Sequence, residues 1–145
     1  MNNVLWIALG GGLGALARYG LSGVLPSTPV PYSIWGINIT GSYLIGIVMT
    51  LALEYGWLGE RGRLFVAVGV LGGYTTFSTY MLGVHQLLMD GAPLAGIFYA
   101  LGSLIVGLAA CGAGVIGTRI LVQAGLHARA NANNVEDFDE IEGES

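Results

Sequence analysis

An all-α membrane protein of four helical spans is the fold class this sequence predicts, and three observations predict it. The 145 residues are 54% hydrophobic and only 10% charged, with a mean hydropathy of +0.70. A soluble domain of this length has too little interior to hide so much apolar surface. The charged residues avoid four long apolar stretches, and the polar connections between those stretches are too short for a second domain. The formal charge of −4 comes from the end of the chain: six of nine acidic residues fall in the last ten positions. Residues 1–130 carry five arginines against three acids, and there is no lysine.

Each stretch is near or above the roughly 20 residues that a bilayer-spanning helix needs. The first, 4–25, is interrupted only by Arg18; it lacks the basic start and the cleavage site of a signal peptide and is expected to stay attached. Span two, 32–53, span three, 64–89, and span four, 92–118, contain no Asp, Glu, Lys or Arg. The short connections make consecutive helices antiparallel. Residues 126–145 have little apolar content and dense charge, so a disordered acidic tail is expected there. Arg61 and Arg63 lie after span two and Arg119 and Arg129 after span four, which puts both termini on the cytoplasmic side by the positive-inside tendency. Nothing in the composition points to nucleic acid, and Cys111, His85 and His127 form no catalytic or metal-ligating pattern, so no enzyme is expected.

Of the 25 glycines, most crowd the spans: Gly10 to Gly12 and Gly14; Gly36, Gly41 and Gly46; Gly102, Gly107, Gly112, Gly114 and Gly117. Helices in lipid associate through close backbone approach at small residues, so these are read as packing faces.

Polar residues inside the spans are few, and each needs a partner or a purpose, because an unpaired one costs about 2–7 kcal/mol in hydrocarbon. Asn38 and Ser42 stand four apart, as do Tyr99, Ser103 and Gly107, so each set shares a helix face. A single hydroxyl is adequately explained by bonding back to its own helix; the larger amide of Asn38 favours function. No carboxylate lies in the body of any span, which counts against proton-coupled transport. Amide and hydroxyl hydrogens without fixed negative charge suit an anion path. Residues 72–80, GGYTTFSTY, combine helix-weakening Gly72 and Gly73 with β-branched Thr75 and Thr76, and predict a break in the third helix near Gly72 to Thr76. Opened there, the helix would free carbonyls of the kind that often hold a cation, while Phe77 and Tyr80 could turn electropositive ring edges to an anion. A kink packed with aromatics is the plain alternative.

Three segments, GGGLGALARYGL at 10–21, INITGSYLIG at 37–46 and GVLGGYTTFSTYML at 69–82, resemble the signature segments of the Fluc fluoride channels in order and spacing, over about residues 3–122. The resemblance implies a passive, fluoride-selective channel that exports fluoride across the plasma membrane and relieves its toxicity. It also implies a dual-topology chain that pairs with itself as an antiparallel homodimer, or with an oppositely oriented paralogue, around one structural Na+. On the matching positions, Asn38, Phe77, Tyr80, Ser78, Thr79, Tyr99 and Ser103 would line the fluoride path, with Arg18 near the vestibule. Gly72 and Thr75 would give backbone carbonyls to Na+. This chain departs from the pattern at Tyr80, which stands in place of a second phenylalanine, at Ile34 in place of a threonine, and at Gly107, a serine in some members. Arg18 has a second reading, snorkelling about 10 Å to the interface. A small multidrug-type transporter, which shares the layout but needs an embedded Glu, is the alternative.

Overall fold

The computed structural model describes residues 3–24 and 30–143, and every regular element among them is helical. Helix α1 is Asn3–Ser22 and α2 is Tyr32–Leu53. The third span is composite. A short helix α3, Glu60–Arg63, runs into a π-helical segment, Leu64–Leu71, then α4, Gly72–Tyr74, and after three residues α5, Ser78–Met89. Helix α6 is Pro93–Gly143. Four helices are long and apolar enough to cross a membrane: Asn3–Ser22, Tyr32–Leu53, Glu60–Met89 and Pro93–Asn131. The expected limits of span two coincide with α2. The expected end of span one at residue 25 lies outside the described residues.

The fourth span differs from expectation. Helix α6 continues to Gly143, through the residues read as an acidic tail. No Pro or Gly interrupts residues 126–142, and Ala128, Ala130 and Ala132 favour helix, so backbone hydrogen bonding carries on where apolar packing ends.

Two seams hold the bundle. Along the first, α1 follows the third span in the same direction: Trp6 meets Phe65 edge-on at 6.1 Å between ring centroids, Gly10 meets Gly69, and Gly14 meets Val70 and Tyr74. A Cβ on Gly14 would stand 2.7 Å from the Tyr74 amide nitrogen and closer still to the Val70 carbonyl oxygen, so only glycine fits. Along the second seam α2 follows α6, with Ser42 beside Gly107, Gly46 against the Cys111 carbonyl and Gly114 against the Tyr43 carbonyl. The chain therefore alternates up and down, with like-directed spans side by side. Helix α5 folds back on α6, where Leu87 and Leu88 pack against Gly96.

Five of the twelve glycines read as packing faces need correction. Gly12, Gly36, Gly102, Gly112 and Gly117 meet no atom within 4 Å of a built Cβ, so they are not packing contacts inside this chain.

The arginine-rich end is tied by polar contacts. Arg119 grips both carboxylate oxygens of Glu54, with Nε to Oε2 at 2.9 Å, and the Asn3 amide donates to Glu60 at 3.0 Å. The hydrogen bonds from Arg119, and then its charge, hold the Glu54 carboxyl below the usual carboxylate range. The buried core is small, centred on Ile34, Ile37, Tyr80, Leu87 and Tyr99. Most large apolar side chains of α1 and α6 stay exposed, Leu108 to 77% and Phe98 to 76%, as they would where lipid or another chain is the solvent.

Candidate functional site: a neutral groove beside the interrupted third span

The third span leaves helical geometry after Tyr74. Thr75 is extended at φ −77°, ψ 158°, and regular helix resumes at Ser78. The flanking glycines do not cause this. Gly72 is helical at φ −65°, ψ −35°, and Gly73 is needed for contact, since a Cβ there would run into Gly11. The cause lies in side chains that replace the lost backbone bonds. Asn38 on α2 donates Nδ2–H to the Thr76 carbonyl at 2.9 Å and accepts the Thr76 amide on Oδ1 at 2.9 Å. The Thr76 hydroxyl accepts the Thr79 amide at 3.2 Å and so caps α5. It donates to Thr79 Oγ1 at 3.1 Å and lies 3.3 Å from Ser78 Oγ. Thr76 is buried to 7% exposure, and this pairing removes the penalty of an unsatisfied peptide in an apolar setting.

Because the Thr76 amide is turned to Asn38, it no longer serves the Gly72 carbonyl four residues back, its partner in an unbroken α-helix. Thr75, in extended backbone, likewise has a carbonyl outside the helical ladder. A hard monovalent cation takes such oxygens. The donor chemistry at Gly72 and Thr75 fits Na+, although two carbonyls are fewer than a cation's shell.

Beside the interruption lies a groove of about 510 Å³ between α2, the third span and α6. Its walls include Asn38, Ser42, Gly72, Thr75, Thr76, Phe77, Tyr80, Ser103 and Gly107, with no charged residue among them. The two expected polar stripes meet here, with the Ser42 hydroxyl 3.5 Å from a built Cβ on Gly107. Phe77 is 72% exposed, and its ring lies 5.8 Å from that of Tyr80. Tyr80 is buried and donates its hydroxyl to the Ala100 carbonyl at 2.8 Å. Tyr99, behind it at 5.5 Å, is outside the groove wall. Ser78, Thr79 and Arg18 also lie off the wall, Ser78 and Thr79 at the α5 cap and Arg18 half-buried on α1.

The hydroxyls divide by what they do with their hydrogen. Ser103 spends it on the Tyr99 carbonyl at 2.6 Å, Thr75 on Leu71 at 2.9 Å, and Thr40, Thr50 and Thr118 likewise on their own helices. Each must turn before it can serve an anion. Ser42, by contrast, has no hydrogen-bond partner among the described residues, and Asn38 keeps a second Nδ2–H. Ser42 is the wall residue left out of the expected fluoride path, although it lies within INITGSYLIG and its four-residue step from Asn38 signals it.

The profile of the family described as "CrcB-like protein, Camphor Resistance (CrcB)" matches residues 5–115. The chain belongs to the CrcB family. Its relatives within CrcB include the "Fluoride-specific ion channel FluC 2" of Nocardia farcinica, 46% identical over 109 residues that cover 73% of this chain and 77% of that protein. A "Fluoride-specific ion channel FluC" of Thermus thermophilus is 45% identical over 111 residues, covering 74% of this chain and 88% of that one. That of Chlorobium chlorochromatii is 40% identical, with coverage of 81% and 92%. The CrcB match spans α1, α2, the whole third span and most of the membrane part of α6, so the groove lies inside it.

Proposed function

We propose that the chain forms a passive, fluoride-selective channel that lets fluoride leave the cell down its gradient. The observation that carries this reading is the uncharged groove, in which the Asn38 amide, the Ser42 hydroxyl and the exposed Phe77 ring stand among apolar side chains, in a member of a family whose relatives are named fluoride-specific channels. Fluoride is small and holds its water tightly, so a path must offer donors in succession, each weak enough to release it. The Asn38 amide, the Ser42 hydroxyl and, after rotation, the Ser103 hydroxyl provide such a series, and the exposed Phe77 edge adds a positive rim without a trapping charge. Ser78 and Thr79 extend it on the α5 side, and Arg18 draws anions to the mouth. A lining without carboxylates leaves proton exchange no carrier, which disfavours the multidrug-type transporter.

The pathway in this proposal is completed by a second copy in the opposite orientation, as an antiparallel homodimer or with an oppositely oriented paralogue. What supports it is the open side of the groove and the unpartnered glycines of α2 and α6. Na+ held by the Gly72 and Thr75 carbonyls of both copies would have four oxygens and would brace the interruption. The proposed setting is the plasma membrane.

Anion efflux from proteoliposomes tests the proposal: fast fluoride release, little chloride release and no dependence on a proton gradient are expected. Chloride release at a comparable rate would overturn it.

A further inference from the structure

A second groove, of about 430 Å³, opens along the α2–α6 seam toward its arginine-rich end. Its α2 wall is Tyr43, Ile47 and Leu51, whereas the first groove takes Asn38, Ser42 and Ile45 from the same helix. At about 100° per residue the two sets point in roughly opposite directions, so the grooves lie on opposite sides of α2. The second begins midway along α2 at Tyr43 and follows α6 from Gly117 to Arg129, an advance of about 18 Å. That depth is comparable with one leaflet, about 15 Å of hydrocarbon plus its headgroups.

Unlike the first groove, this one carries a single charge, and it stands at the outer end. Arg129 is the last wall residue along α6 and has no hydrogen-bond or ion-pair partner among the described residues, whereas Arg119 is engaged by Glu54. The positions three and four away on its helix, Gly125, Leu126, Ala132 and Asn133, bring no acid. The acids of the chain end begin at Glu136, about 10 Å further along α6. Inward of Arg129 the wall is uncharged, with Leu121 and Leu126 exposed. Beside them stands Trp57, brought back to α6 by a turn. Gly56 takes the left-handed φ of 66°, and the Trp57 amide donates to the Leu51 carbonyl at 3.0 Å. An exposed indole next to a free arginine is the pairing that a membrane–water interface favours.

We propose that this groove is a binding site for an anionic phospholipid: one acyl chain lies along Leu51, Leu121 and Leu126, and the Arg129 guanidinium pairs with the phosphate of the headgroup. A zwitterionic headgroup holds its own ammonium beside the phosphate and gains less from a lone cation. The site rests on the membrane-spanning fold alone and is independent of what the first groove conducts.

Quenching of Trp57 fluorescence tests it, with the full-length chain in phosphatidylcholine bilayers that contain either phosphatidylglycerol or phosphatidylcholine with brominated acyl chains. The Trp57 signal is the difference between the parent and Trp57→Phe. Phosphatidylglycerol should be favoured by roughly fivefold, the worth of one arginine near an anionic lipid. Arg129→Gln brings the two lipids level, and Arg129→Lys keeps the preference. Gly125→Leu, whose added side chain meets no atom of this chain and fills the groove, lowers quenching by both lipids. Equal quenching by the two lipids in the parent overturns the site, as does a preference that survives Arg129→Gln or full quenching in Gly125→Leu. Quenching by neither lipid overturns it as well, and marks the groove as covered by a second copy of the chain. Fluoride efflux measured on the same vesicles separates the two readings: a parent that releases no fluoride sinks the channel, while its lipid preference decides the site.

Discussion

The two seams of this bundle use glycine in the same way but surround it differently. Between α1 and the third span, Gly10, Gly14, Gly69 and Gly73 bring backbone onto backbone, with Trp6 and Phe65 as the nearby rings. Between α2 and α6, Gly46 and Gly114 make equally close contacts, while a turn or so away Ser42 and Gly107 touch more loosely and, with Ser103, form part of the groove wall. Close approach in lipid is thus a local choice. The seam is tightest where glycine meets a carbonyl and looser where Gly107 meets the Ser42 hydroxyl.

The largest expected effect breaks the closed seam. Gly14→Leu puts a branched side chain into the Val70 and Tyr74 backbone, and no rotamer relieves a clash with main chain. The expected result is loss of monodisperse protein on size-exclusion chromatography, while Gly12→Ala, which meets open space, elutes like the parent.

On the groove side, Asn38→Asp replaces the donor to the Thr76 carbonyl with a charge that repels both it and an anion. Fluoride efflux falls by roughly tenfold or more; an unchanged rate would remove Asn38 from the path. Next, Thr76→Val keeps the shape and removes the α5 cap, at a cost of about 1 kcal/mol in thermal unfolding. Phe77→Leu sharpens the contrast from the other direction, because a ring 72% exposed contributes little to packing. Its melting temperature should match the parent's while efflux drops by roughly twofold to tenfold, the worth of one aromatic edge contact.

The smallest effect belongs to the Glu54–Arg119 pair at the arginine-rich end. A carboxyl whose folded pKa lies below its unfolded value stabilises the fold above the unfolded pKa, about 4.3 for Glu. That contribution fades as pH falls through the lower folded value. The parent should therefore lose a little more melting temperature than Glu54→Gln between pH 7 and pH 3.

Much of the architecture was legible because the bilayer imposes lengths. Uncharged runs bounded by Arg61, Arg63 and Arg119 gave the spans, and the four-residue steps from Asn38 to Ser42 and from Ser103 to Gly107 anticipated the faces that meet at the groove, while Tyr99 at the end of the second stripe stands outside its wall. The position of the interruption was harder to read, since Gly72 and Gly73 are helix-weakening on their own but are held helical by contact with α1. What opens the backbone is a pair of hydrogen bonds from a residue 38 positions away, and no local propensity encodes that. The glycines were read too uniformly for a similar reason: which of them touch another helix depends on rotation about the axis, and composition is silent on it. Helix α6 runs on through the residues read as an acidic tail, because low hydrophobicity argues against packing but not against helical backbone.

The double hydrogen bond between Asn38 and Thr76 also bears on how the chain is made. Synthesis delivers α2 before the third span exists, so the amide enters the insertion machinery with neither of its eventual partners. Until Thr76 arrives, that group is without the partners it has in the folded chain, and an unpaired amide among acyl chains is costly. Asn38 thereby gives the second helix a polar group whose two partners both belong to a segment made later.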